Sequence, residues 1–154
     1  MPSIQVDPVL DEGMRMLCLR PYPGHSKGCQ NFGKKVGCPP KAPLLHETLD
    51  LGQPVWAVYN VFDMAGHVAK MRGLHPSWSM RQLVCCLYWQ KKARKSLREE
   101  IAKFLEGHPG TRIIACPEAQ GVNLTATMIS AGIEMEWPPV NRAFQIVLAG
   151  KGRT

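Results

Sequence analysis

Pro54-Val-Trp-Ala-Val-Tyr-Asn-Val-Phe62 is a β-branched and aromatic run that reads as a largely buried strand. Downstream of it the period changes. A short helix is expected over about Met64–Arg72, ended by Gly73 and Pro76, and a long one from about Ser79 to Glu106. Ser79 followed by Gln82 is a capping-box pair, and Met80, Leu83, Leu87, Leu97, Ile101 and Leu105 recur at helical spacing. Gly107-His-Pro-Gly110 stops this helix. Thr111-Arg-Ile-Ile-Ala-Cys116 then reads as a short strand closed by Pro117, about Asn123–Ser130 as a helix closed by Gly132, and Ala143-Phe-Gln-Ile-Val-Leu-Ala149 as a last strand. Alternating strands and helices define an α/β layer over residues 54–149, and the expectation is a small, mostly parallel sheet flanked by helices.

Upstream the chain has a different character. Cys18-Leu-Arg-Pro-Tyr-Pro-Gly-His-Ser-Lys-Gly-Cys29-Gln-Asn-Phe-Gly-Lys-Lys-Val-Gly-Cys38-Pro-Pro holds few apolar residues and no periodicity, so it has no core of its own to bury. A Gly- and Pro-rich segment with three thiols takes its shape from a metal or from disulfides. The 154 residues fit one domain, 1–154, made of this Cys-rich loop (residues 15–43) and the α/β layer. No apolar run reaches the ~18 residues of a membrane span, and no apolar segment of secretory type opens the sequence. The expected compartment is therefore cytoplasmic, where structural disulfides are rare and six cysteines point to metal ligation, catalysis or burial.

Cys18, Cys29 and Cys38 are separated by ten and eight residues, which is neither a zinc knuckle nor a ferredoxin run. Two residues compete as fourth ligand. His25, within the loop, would complete the three-cysteine, one-histidine set that zinc favours. Cys116, at the C-terminal end of a strand where α/β proteins place their sites, would complete an all-cysteine set suited to zinc or an iron–sulfur cluster. The bland alternative for Cys116 is a small core residue. Cys85 and Cys86 fall inside the expected long helix; adjacent helical positions do not face each other, so they read as partly buried thiols rather than ligands.

The net charge of +7 is unevenly spread: no acidic residue lies between Gly13 and His46, while Arg15, Arg20, Lys27, Lys34, Lys35 and Lys41 do. Such a stretch either compensates metal-bound thiolates or meets phosphate.

Several of these residues fall into a recognisable order. Cys18, Gly28-Cys29-Gln30-Asn31-Phe32-Gly33, Cys38-Pro39-Pro40 and Pro43, then Cys116-Pro117-Glu118 and Met128-Ile-Ser-Ala-Gly-Ile-Glu134, resemble a microbial family of cysteine-rich, predicted metal-binding proteins with no known reaction. The resemblance spans roughly residues 15–140 and implies a single site on Cys18, Cys29, Cys38 and Cys116, ahead of His25. Many members carry closely spaced cysteines just before the last one; Gly107–Ala115 has none here.

Two functional expectations follow. The first is a protein with one iron–sulfur cluster, [4Fe–4S] in type, in a redox or sulfur-handling role with a redox partner. Glu118 is then the candidate proton carrier, against the simpler role of an N-terminal helix charge, and Lys34, Lys35 and Lys41 are the anion contacts. The second is a structural zinc site on a nucleic-acid-binding module, with Tyr22 and Phe32 stacking on bases. A metal-dependent hydrolase is weaker: the histidines show no HExxH spacing, and P-loop, GxGxxG and GxSxG motifs are missing. Whether the chain is an enzyme at all stays open at this level.

Overall fold

A computed structural model describes residues 2–21 and 26–154. His25 and Tyr22 lie outside the described residues. Four strands form one sheet: β1 (Ser3–Val6), β2 (Val55–Asp63), β3 (Thr111–Ile114) and β4 (Arg142–Lys151). Their spatial order is β1-β2-β4-β3, and every neighbouring pair is antiparallel. The expected mostly parallel sheet is therefore wrong. β2 and β3 do run in the same direction, but they are not neighbours. The last strand enters between them and pairs with both, so the βαβ unit is split.

The misreading has a physical cause. A strand that is apolar at nearly every position usually belongs to a parallel sheet with both faces covered. Here an antiparallel sheet is covered on both faces and gives the same pattern. On one face Val55, Ala57 and Leu148 pack with α1 (Leu45–Thr48) and α5 (Leu124–Ser130) through Leu45, Leu124 and Met128. On the other, Val58, Val147 and Ala149 meet Phe104, Leu97 and Ile101 of α4 (Gln90–Gly107). Truncating a fully buried Leu45 or Leu148 to Ala costs about 2–5 kcal/mol by general precedent.

One polar residue sits inside this second interface and is fully paired. Asn60 of β2 donates to the Ala93 carbonyl at 3.1 Å and accepts from the Ser96 hydroxyl at 3.0 Å, which fixes α4 on the sheet.

α2 (Met64–Leu74) follows β2 directly, with Asp63 accepting from the Gly66 N–H as N-cap. The expected single helix over 79–106 is broken. It consists of α3 (Met80–Leu83), a 3₁₀ turn at Cys86–Tyr88 and α4. The capping box is present: Ser79 N–H donates to Gln82 Oε1 at 2.8 Å, and Gln82 N–H to Ser79 Oγ at 3.3 Å. The break is tertiary. Trp89 stacks on Phe62 of β2 at 5.0 Å, and its indole N–H donates to the Val84 carbonyl at 3.0 Å. That carbonyl is the acceptor a continuous helix would give to the Tyr88 N–H. Cys85 is consequently half-buried and Cys86 exposed, the reverse of their order on a regular helix. Among the described residues no helix is long and apolar enough to cross a membrane.

Beside this break, His67 of α2 tilts against the Phe62 ring at 5.7 Å, with Nε2 buried and without a partner among the described residues. Burial holds its pKa below the ordinary histidine range, a hydrogen bond to the Leu83 backbone pulls it back up, and Lys70 and Lys92 add to the lowering. As pH falls the unfolded chain takes this proton first. The stabilising contribution is complete above about pH 6.5 and is lost as pH drops through the lowered value. Melting temperatures from about pH 7 to 5 should therefore fall less steeply for His67→Phe than for the parent. Parallel curves would show that His67 does not titrate in this way.

Candidate metal centre

The first strap of the site is backbone pairing. Residues 9–11 run antiparallel to 121–123: Asp11 N–H donates to the Gly121 carbonyl at 2.7 Å and Asn123 N–H to the Val9 carbonyl at 2.8 Å. The Val9 N–H donates to Thr127 Oγ1 at 2.9 Å. Asp11 then caps a 3₁₀ helix over Glu12–Leu19, which ends next to Cys18 and packs against a second 3₁₀ turn, Pro117–Gln120, whose N-cap is Cys116. Two segments nearly a hundred residues apart in sequence are joined here, which spacing alone did not reveal.

The second strap closes the loop. Cys29 N–H donates to the Cys18 carbonyl at 2.7 Å. This approach requires Gly28, at φ 81°, because a Cβ there would strike the Cys18 carbonyl oxygen and the Leu19 backbone. Further on, Gly33 N–H donates to the Pro39 carbonyl at 2.7 Å and Ala42 N–H to the Cys38 carbonyl at 3.0 Å. Arg15, read from sequence only as part of the positive charge, is a structural clamp: its Nη2 donates to the Pro40 carbonyl at 2.7 Å and the Ala42 carbonyl at 2.6 Å. Its Nε is buried with no partner among the described residues. A loop without a core is thus held by backbone bonds, one close approach and one guanidinium.

These straps bring the sequence-predicted thiols into one neighbourhood. All six cysteines are free, and Cys18, Cys29 and Cys38 are each half-buried. Burial pushes the Cys18 thiol up, and the nearby Cys29, Cys38 and Glu118 push it further. Cys116 is exposed, which removes its reading as a small core residue. Neighbouring protein atoms nonetheless raise its pKa by desolvation, with Glu118, Cys38 and Cys18 adding to the rise. Cys29 and Cys38 thus lie near Cys18, and Cys38 and Cys18 near Cys116. They are neighbours rather than a closed ligand shell: among the described residues, no three His, Cys, Asp or Glu side chains stand together at metal-holding positions.

Glu118 lies in the Pro117–Gln120 turn, not at the start of α5, so it is not the N-terminal charge of that helix. It lines a cavity of about 610 Å³ that also touches Leu17 and Ala115, the residues preceding Cys18 and Cys116. Its carboxyl is reachable from the cavity, yet the surrounding atoms desolvate it and raise its pKa. Lys34, Lys35 and Lys41 are exposed on the outer side of the loop, with Lys41 Nζ 3.4 Å from the Lys34 carbonyl. Cys85 and Cys86 belong to the α3–α4 break and have no part in this grouping.

Comparison with known proteins found no matching family model, no matching curated protein and no matching solved structure.

The close approach at Gly28 is open to direct test. Gly33 also has positive φ (75°), but the space around its missing Cβ is open. Gly33→Ala should cost only left-handed strain, about 1–2 kcal/mol. Gly28→Ala should cost more and should separate Cys18 from Cys29, seen as a lower denaturation midpoint and a lower metal content after reconstitution. Equal losses in the two variants would contradict the close-approach role.

Proposed function

We propose that this chain is a metal-binding protein of the cysteine-rich kind it resembles, carrying one iron–sulfur cluster on Cys18, Cys29, Cys38 and Cys116 in a redox or sulfur-handling role. The observation that carries the reading is the packing of the 3₁₀ helix bearing Cys18 against the turn capped by Cys116, two segments nearly a hundred residues apart, with Cys38 and Glu118 close enough to act on both thiols. The donor set fits the group. Four thiols with no histidine among them suit an iron–sulfur cluster or zinc better than a hard cation. Loading must displace the thiol protons, and the uniformly basic loop offsets the negative charge that follows. The cluster would supply electron transfer or a Lewis-acidic iron. The protein's own part is to hold the thiols through Gly28 and Arg15, and to keep a desolvated carboxyl, Glu118, beside them. Free thiols of this kind fit a reducing, cytoplasmic setting.

Iron with matching sulfide, and a broad absorption near roughly 400 nm, are expected from protein purified without oxygen. Cys38→Ser should lose most of both, while Cys86→Ser should lose neither. Colourless protein with one zinc per chain would overturn the cluster. It would favour the structural zinc reading, with Lys34, Lys35 and Lys41 facing nucleic acid.

A further inference from the structure

The cavity beside Glu118 lies where the sheet is incomplete. β3 pairs with Leu148–Lys151, so among the described residues the stretch Arg142–Val147 of β4 has no strand on that side. The cavity occupies this gap, and its volume of about 610 Å³ is in the range of small-molecule sites. Its walls are mainly apolar and include Leu97, Phe144, Ile146 and Trp137. Trp137 is 68% exposed, and its indole N–H donates to Thr125 Oγ1 at 3.1 Å, so a flat aromatic face is held ready. Gln145 also lines the cavity.

Arg94 lines this cavity and also a groove of about 350 Å³ that it shares with Lys91 and Arg98. The three cations lie three, four and seven residues apart on α4, on one helical face. All are exposed, and among the described residues none has a carboxylate within salt-bridge distance. Lys91, Lys92, Arg94 and Lys95 crowd the first turns of α4, where the helix dipole disfavours positive charge and no acidic residue relieves it. This arrangement opposes helix stability and suits a multiply charged anion.

We infer that the cavity and the α4 groove together form a binding site for a small molecule with a flat, largely apolar body and a phosphate head. The body lies against Trp137 and Phe144, and the phosphate spans from Arg94 to Lys91 and Arg98. A monocarboxylate would leave most of this positive charge unmatched, whereas a dianionic phosphate takes several charge-assisted hydrogen bonds. The contacts named for body and head use none of the four proposed ligands, although Leu17, Ala115 and Glu118 in the cavity wall adjoin Cys18 and Cys116, so titrating metal-loaded and metal-free protein side by side keeps the two readings distinguishable.

Calorimetric titration of the purified protein with 2-naphthyl phosphate, 2-naphthol and inorganic pyrophosphate tests this directly. The whole ligand should bind saturably at one site, at least about tenfold more tightly than the body or the head alone. Arg94→Gln should weaken 2-naphthyl phosphate about tenfold and leave 2-naphthol unchanged. Trp137→Ala should weaken both naphthyl compounds and spare pyrophosphate. ADP binding more tightly than 2-naphthyl phosphate would assign the body to a nucleotide base; weaker binding would assign it to an aryl or acyl phosphate. Pyrophosphate binding as tightly as the whole ligand, with no effect of Trp137→Ala, would reduce the site to a cationic surface and overturn the inference. So would naphthol binding as tightly as the phosphate, or no saturable binding.

Discussion

Nine consecutive backbone pairs, from Val55 opposite Gly150 to Asp63 opposite Arg142, join β2 to β4. That ladder brings the end of the chain into the middle of the sheet, and much else is arranged by it. β4 is the strand that β3 pairs with, and the end of β3 sets the position of Cys116. Because β3 stops after four residues, the other half of the β4 edge is left to a cavity. The two faces of the same ladder carry separate apolar clusters, so α4 on one side and α1 with α5 on the other are both tied to it.

The N-terminal loop solves a different problem. It buries little apolar surface, and its conformational entropy has to be met by other means. Pairing of 9–11 with 121–123 sets its beginning, the Arg15 clamp holds its end, and Gly28 allows its two halves to touch. Each strap sits next to a thiol in sequence or in space. Cys18 lies at the close approach, Cys38 precedes the clamped carbonyls of Pro40 and Ala42, and Cys116 caps the turn packed against the first 3₁₀ helix. The thiols themselves form no disulfide, and desolvation raises the pKa of Cys18 and Cys116.

Much of this was legible from residue type and period. Val55–Asp63, Met64–Leu74, the Ser79–Gln82 cap and the Asn123-capped helix follow from local signals that the tertiary structure leaves intact. Strand direction was not legible, because an antiparallel sheet covered on both faces has the apolar pattern of a parallel one. The break at Cys85 was hidden as well: its cause is Trp89 reaching Phe62 and the Val84 carbonyl, a contact between elements rather than a local preference. For the site, the loop composition pointed to Cys18, Cys29 and Cys38, and Cys116 came from its place at a strand end and from the family likeness. Arg15 left no signal beyond its charge. The Gly28 close approach could have been suspected from a glycine directly preceding a ligand candidate, since only a missing side chain permits such contact.

The central claim is that a thiol from the end of β3 completes a site built by the N-terminal loop. X-ray absorption at the metal edge of the anaerobically purified protein, compared with Cys116→Ser, measures this most directly. A first coordination shell of sulfur alone in the parent, with a lighter neighbour replacing the thiolate at a single iron of the cluster in the variant, is the expected result. An unchanged sulfur shell in Cys116→Ser, or a nitrogen neighbour already present in the parent, would contradict it and return the fourth position to His25.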